Sequence, residues 1–83
     1  MNNPKINLIL ENGIKNHQQN KLSEALNYYE DVLKLDSNNL KANLFLGIIF
    51  AQQKKFLEAE NRFNKSLEID PKNSDIFNNL GLI

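Results

Sequence analysis

The sequence predicts an all-α protein: an α-solenoid of antiparallel helix pairs with five helices, the last from a truncated third repeat. Three observations carry this. A shift of 34 residues superposes Gly13, Gly47 and Gly81, and with them Ala25 on Ala59, Tyr29 on Phe63 and Asp36 on Asp70. Such internal periods are the mark of stacked supersecondary units. Apolar residues recur at helical spacing, as in Leu46, Ile49 and Phe50 and again in Ala59, Phe63 and Leu67. No stretch alternates apolar and polar residues with period two, so no strand is expected.

The elements follow in order. Asn3 and Pro4 form a helix start, with asparagine as N-cap and proline at the first helical position. That helix is expected to run to about Gln18, and the polar residues 19–21 to turn the chain. Leu22, Ala25, Leu26, Tyr29, Val32 and Leu33 then place one apolar stripe on a second helix, which residues 36–39 end with turn-forming side chains. A third helix is expected over residues 40–53 and a fourth over 56–69, with Lys54 and Lys55 at the turn between them. Phe56 stands at the head of the fourth helix's stripe. Pro71 disfavours helical geometry at Asp70 and stops that helix. Asn73 or Ser74 can cap a fifth helix, which is still running at Ile83. The chain thus reads as one domain over residues 1–83, divided into 6–39, 40–73 and a partial unit at 74–83.

Ten acidic and ten basic residues cancel and are interspersed, so no basic face for nucleic acid or for an anionic membrane is supplied. Arg62 is the only arginine among the cations. With no cysteine there is no disulfide, thiolate metal site or thiol nucleophile, and with His17 the only histidine no imidazole cluster or triad forms. The longest apolar run, residues 44–51, is far short of the ~20 residues of a membrane span. MNNPK shows no signal-peptide h-region, so a cytoplasmic location is expected. No cofactor or metal is expected. Glu58 and Arg62 are spaced for ordinary surface pairing, His17 reads as a solvated helix-end residue, and Tyr28 and Tyr29 as one exposed and one core aromatic. The sequon at Asn64 falls inside a helix and reads as a chance match.

The period and its residues resemble the tetratricopeptide repeat, whose signature places a Leu-Gly pair and an aromatic in helix A, Ala-x3-Phe in helix B and a proline after it. The middle unit matches best, with Leu46, Gly47, Phe50, Ala59, Phe63 and Pro71, and has Asn43 where the signature has tryptophan. The first unit carries polar Asn12 and Asn16 at sites usually apolar, which suits a face that no preceding repeat covers. The small residues imply close crossing of helices A and B.

By this resemblance the A helices line a concave groove. The implied partner-binding residues are Asn7, Leu10, Ile14, His17 and Gln18 from the first, Lys41, Leu44, Phe45, Ile48, Ala51 and Gln52 from the second, and Asp75, Asn78, Asn79 and Leu82 from the third. The middle of that groove is apolar, which suits an apolar or amphipathic peptide. One subset of the family clamps a C-terminal carboxylate with lysine, arginine and asparagine. The matching sites here are Leu10, Ile14, Phe45, Asp75 and Asn79, which lack the cations, so a clamp of that kind is not expected. The resemblance thus implies a non-catalytic protein-interaction module. Two alternatives are a recruiting arm of a longer enzyme such as a transferase, and self-association through Phe77, Leu80 and Ile83, or continuation into further repeats.

Overall fold

The computed structural model describes residues 3–73 and Ile76. Among them are four helices, α1 (Pro4–Gln18), α2 (Leu22–Leu35), α3 (Leu40–Gln52) and α4 (Phe56–Ile69), and no strand. Helix α1 packs on α2, α3 packs on α4, and α2 joins the pairs through α3. The structure therefore gives four helices where the sequence predicts five. The fifth, over 74–83, lies outside the described residues except for Ile76, which is helical and fully buried.

The helix ends repeat as the sequence does. Asn3 Oδ1 accepts from the Lys5 and Ile6 amides at 3.0 and 3.4 Å, and Asn39 Oδ1 from the Ala42 amide at 2.9 Å. Asn73 Oδ1 accepts from the Ile76 amide at 3.4 Å, so Asn73 takes the capping role for which Ser74 was the alternative. Each cap satisfies donors that a helix N-terminus leaves without partners. At the other ends, the Lys21 amide donates to Asn16 C=O at 2.8 Å and the Asn20 amide to His17 C=O at 3.0 Å. The Lys55 amide to Phe50 C=O and the Lys54 amide to Ala51 C=O repeat this pair at 2.8 and 3.0 Å. The bonds require a left-handed residue, and Asn20 (φ 61°) and Lys54 (φ 62°) supply it. Asparagine tolerates that region, whereas lysine is strained there by about 1 kcal/mol. Lys54→Gly is therefore expected to raise stability by about 0.5–1 kcal/mol, read as a Tm increase of a few degrees. Asn20→Gly should change it far less.

The turns after α2 and α4 also match. Asp36 (φ −151°, ψ 92°) and Asp70 (φ −139°, ψ 85°) leave the helix in the same extended geometry, although only Asp70 precedes proline. At the first turn the Asp36 side chain takes over, accepting from the Asn38 amide at 3.2 Å.

The core runs along the helix pairs. Ala25, Tyr29, Val32, Ala42, Leu46 and Ile49 form its first part; Ala59, Phe63 and Ile76 form the second; half-buried Phe50 packs against both. Helix α3 is apolar around most of its circumference: Ala42, Leu46 and Ile49 are buried between α2 and α4, and Leu44, Phe45, Ile48 and Phe50 are half-buried. The crossing points explain the glycines. A Cβ on Gly13 would stand 2.6 Å from Tyr29 Cε1, and one on Gly47 would stand 2.6 Å from Phe63 Cε1. Helix α1 differs from α3 on one face: Asn12, Lys15 and Asn16 stand at the register positions of Leu46, Ile49 and Phe50. Lys15 is exposed where Ile49 is fully buried, and the Asn16 amide donates to Asn12 C=O at 2.8 Å. Phe56 departs from its expected place in the stripe. It is 47% exposed, because the buried face of α4 begins one turn later, at Ala59.

Candidate binding groove

Two adjoining clefts lie between α1 and α3. One, of about 260 Å³, is lined by Ile14, His17, Gln18, Tyr29, Phe45 and Ile48. The other, of about 340 Å³, is lined by Asn7, Leu10, Glu11, Ile14 and Lys41. Ile14 belongs to both, so the clefts form one groove with an apolar end and a polar end.

The apolar end is closed by three rings. Tyr29 and Phe45 lie tilted with centroids 5.5 Å apart, and His17 meets Tyr29 edge-on at 6.1 Å. Both geometries favour the ring quadrupoles. The Tyr29 hydroxyl lies 3.4 Å from His17 Nδ1, and His17 Nε2 lies 2.9 Å from Gln52 Oε1. Gln52 Oε1 can only accept, so His17 Nε2–H donates to it, and in the neutral imidazole Nδ1 is left to accept from the tyrosine. Burial pushes the Tyr29 hydroxyl up to about 12, so it remains a donor at neutral pH. His17 is thus no solvated helix-end residue. It is half-buried and bridges α1, α2 and α3 at the groove's end. Sequence reasoning assigned Tyr29 to the core alone. Its body is core and fully buried, but the ring edge also reaches this cleft.

The structure brings Asn7, Leu10, Ile14, His17, Gln18, Lys41, Phe45 and Ile48 to the groove, and Gln52 joins through His17. Leu10 is only 6% exposed and serves as floor. Leu44 is half-buried and packs, with Ile48, on the Ala59, Phe63 and Ile76 cluster, as Leu10 at the same register belongs to the cluster of Ala25 and Tyr29. Asn78 and Leu82, and with them Phe77, Leu80 and Ile83, lie outside the described residues. So do Asp75 and Asn79.

A second polar arrangement was not foreseen. Asn43 is fully buried, yet its amide donates to Asn39 C=O at 2.9 Å and to Ser37 C=O at 3.2 Å, while its Oδ1 accepts from Arg62 Nη1 at 2.9 Å. Every hydrogen-bonding site class of the amide is used, as a buried polar group requires. Arg62 therefore does not form the Glu58 pair expected from spacing. The ion pairs among the described residues are Lys34–Asp31 and Lys65–Glu68. The signal was available in the register: 34 residues earlier stand Ile9 and Tyr28, so positions 43 and 62 depart together from apolar to polar.

Among the described residues no helix is long and apolar enough to cross a membrane. The stacked helix pairs and a groove built from alternate helices define a helical-repeat interaction scaffold. The tetratricopeptide repeat family profile matches residues 17–81. The chain belongs to the tetratricopeptide repeat family, with about two and a half repeats, and is a protein-interaction module of the kind such repeats form. It is 32% identical over 65 residues to a probable UDP-N-acetylglucosamine–peptide N-acetylglucosaminyltransferase, SPINDLY, of Arabidopsis thaliana, covering 78% of this chain and 7% of that protein. It is 34% identical over 74 residues to a peroxisomal targeting signal receptor of Candida albicans, covering 89% of this chain and 12% of that protein. The chain spans about a tenth of the length of these relatives, so the likeness is to their repeats.

Proposed function

We propose that the groove between α1 and α3 binds a peptide segment of a partner protein, seating an apolar side chain among Ile14, Phe45 and Ile48. The observation that carries this is the apolar cleft closed by His17, Tyr29 and Phe45 beside the polar stretch with Asn7, Glu11 and Lys41. An apolar pocket flanked by a few polar groups is the usual build of a peptide site. One relative is a targeting signal receptor and the other a transferase acting on peptide, which favours a peptide partner here. The balanced charge favours protein over nucleic acid or an anionic membrane. The test is selection of a binder from a displayed peptide library, followed by NMR titration of the full chain. Amide shifts should centre on Ile14, Phe45 and Ile48, and Ile14→Lys should weaken binding at least tenfold with helix content unchanged. Shifts confined to other surfaces sink the groove.

The transferase relative favours a second reading, in which the module recruits substrate for a catalytic domain in the same polypeptide. Reading the gene beyond Ile83 decides it: a transferase domain in frame supports the reading, and an immediate stop codon removes it.

A further inference from the structure

A third cleft lies outside the groove. It has about 530 Å³, is open to solvent and is lined by Glu30, Leu33, Lys34, Leu46, Phe50 and Arg62. Helix α3 shows Leu46 and Phe50 to this cleft and Lys41, Phe45 and Ile48 to the groove, and at 3.6 residues per turn those sets point to opposite sides of the helix. The cleft therefore opens on the other face, between α2 and α4.

Its charges are unequally committed. Lys34 lies 3.5 Å from Asp31 and its side chain is 77% exposed, so it is a screened rim charge. Glu30 is exposed. Arg62 is half-buried and has no carboxylate within ion-pair distance among the described residues, although Glu58 is one turn away and Glu30 lines the same cleft. One Nη1 hydrogen is held by the buried Asn43 Oδ1, and Asn43 is itself held by two backbone carbonyls. The guanidinium is thereby fixed in orientation, and its remaining N–H groups have no protein partner among the described residues. A fixed, partly desolvated guanidinium is a strong carboxylate receptor, because its fork is preorganised and little entropy is lost on pairing. Leu33 and Phe50, both half-buried, offer apolar contact beside it.

We propose that this cleft is a second docking site, taking an acidic–apolar peptide segment whose Asp or Glu carboxylate pairs with Arg62 while a neighbouring aliphatic side chain covers Leu33 and Phe50. The occupant is set by charge complementarity: the lining carries Lys34 and Arg62 against the one carboxylate of Glu30, and of its two cations only Arg62 has no carboxylate within ion-pair distance among the described residues. Glu30 at the rim selects against a bare or highly charged anion and for a single carboxylate set among neutral residues. The site is independent of the groove between α1 and α3.

The test uses the full chain and a capped tetrapeptide of three leucines and one glutamate, with a glutamine counterpart and sodium acetate as comparisons, followed by NMR. The glutamate peptide should shift the Arg62 Nε–Hε signal and the Leu33 and Phe50 amides saturably. The glutamine peptide and acetate should each bind at least tenfold more weakly. Arg62→Gln, which keeps a donor for Asn43, should lose binding at least tenfold, and Lys34→Gln should change it less than threefold. Equal binding of the glutamine peptide overturns the proposal. So does retention of binding by Arg62→Gln at unchanged helix content, an equal loss with Lys34→Gln, or shifts centred on Ile14 and Phe45.

Discussion

Gly47→Ala will destabilise the protein by about 2 kcal/mol, against the ~1 kcal/mol that alanine gains over glycine inside a helix. The added methyl would stand 2.6 and 2.7 Å from Phe63 Cε1 and Cδ1, closer than carbon atoms approach without displacement. Phe63 cannot swing aside, since it is fully buried among Ala59, Ile76 and the α3 side chains. The helices must separate or the ring must leave its rotamer, and overpacking of this kind costs about 1–3 kcal/mol. Urea denaturation of the variant measures the loss. A smaller ring position relieves the clash, so Phe63→Leu should cost at least ~1 kcal/mol less in the Gly47→Ala background than in the native one. A neutral or stabilising Gly47→Ala would show that α3 and α4 are not in close approach there. Gly13 faces Tyr29 in the same way, with 2.6 Å to Cε1, and Gly13→Ala should behave alike.

Asn43→Leu will cost about 2–3 kcal/mol, although leucine is close in size and far more apolar. The loss comes from what stays behind. Arg62 keeps a half-buried charge with no acceptor, and the Ser37 and Asn39 carbonyls lose a shared donor. Orphaning buried partners costs more than the net value of the bonds themselves. Removing both sides should be milder. The chain already carries an apolar solution at the same register, Ile9 with Tyr28. Asn43→Ile with Arg62→Tyr should therefore recover at least ~1 kcal/mol of the summed single losses in a double-mutant cycle. Additive losses would mean that Asn43 and Arg62 are not energetically coupled.

Much of the architecture was legible because it is local or periodic. The cap at Asn3, the turn at residues 36–39, the helix starts at Leu22, Leu40 and Phe56, and the stop at Asp70 depend on residue types within a few positions. The close crossings at Gly13 and Gly47 were legible because a small residue and an aromatic recur together every 34 residues. Other features follow from distances between side chains far apart in sequence. His17 and Gln52 are 35 positions apart, and Asn43 and Arg62 are 19 apart, so i,i+4 logic paired Arg62 with Glu58 instead.

The repeat, the helices and the residues that let them cross can be read from the residues alone, because period, propensity and side-chain size act on each unit separately. How the polar groups are paired follows from the packing of the helices. It set His17 between Tyr29 and Gln52 and pinned Arg62 on Asn43 above an apolar cleft. A hydrogen bond depends on ångström-scale placement that periodicity does not encode, and a buried polar group must find its partner wherever packing brings one within reach.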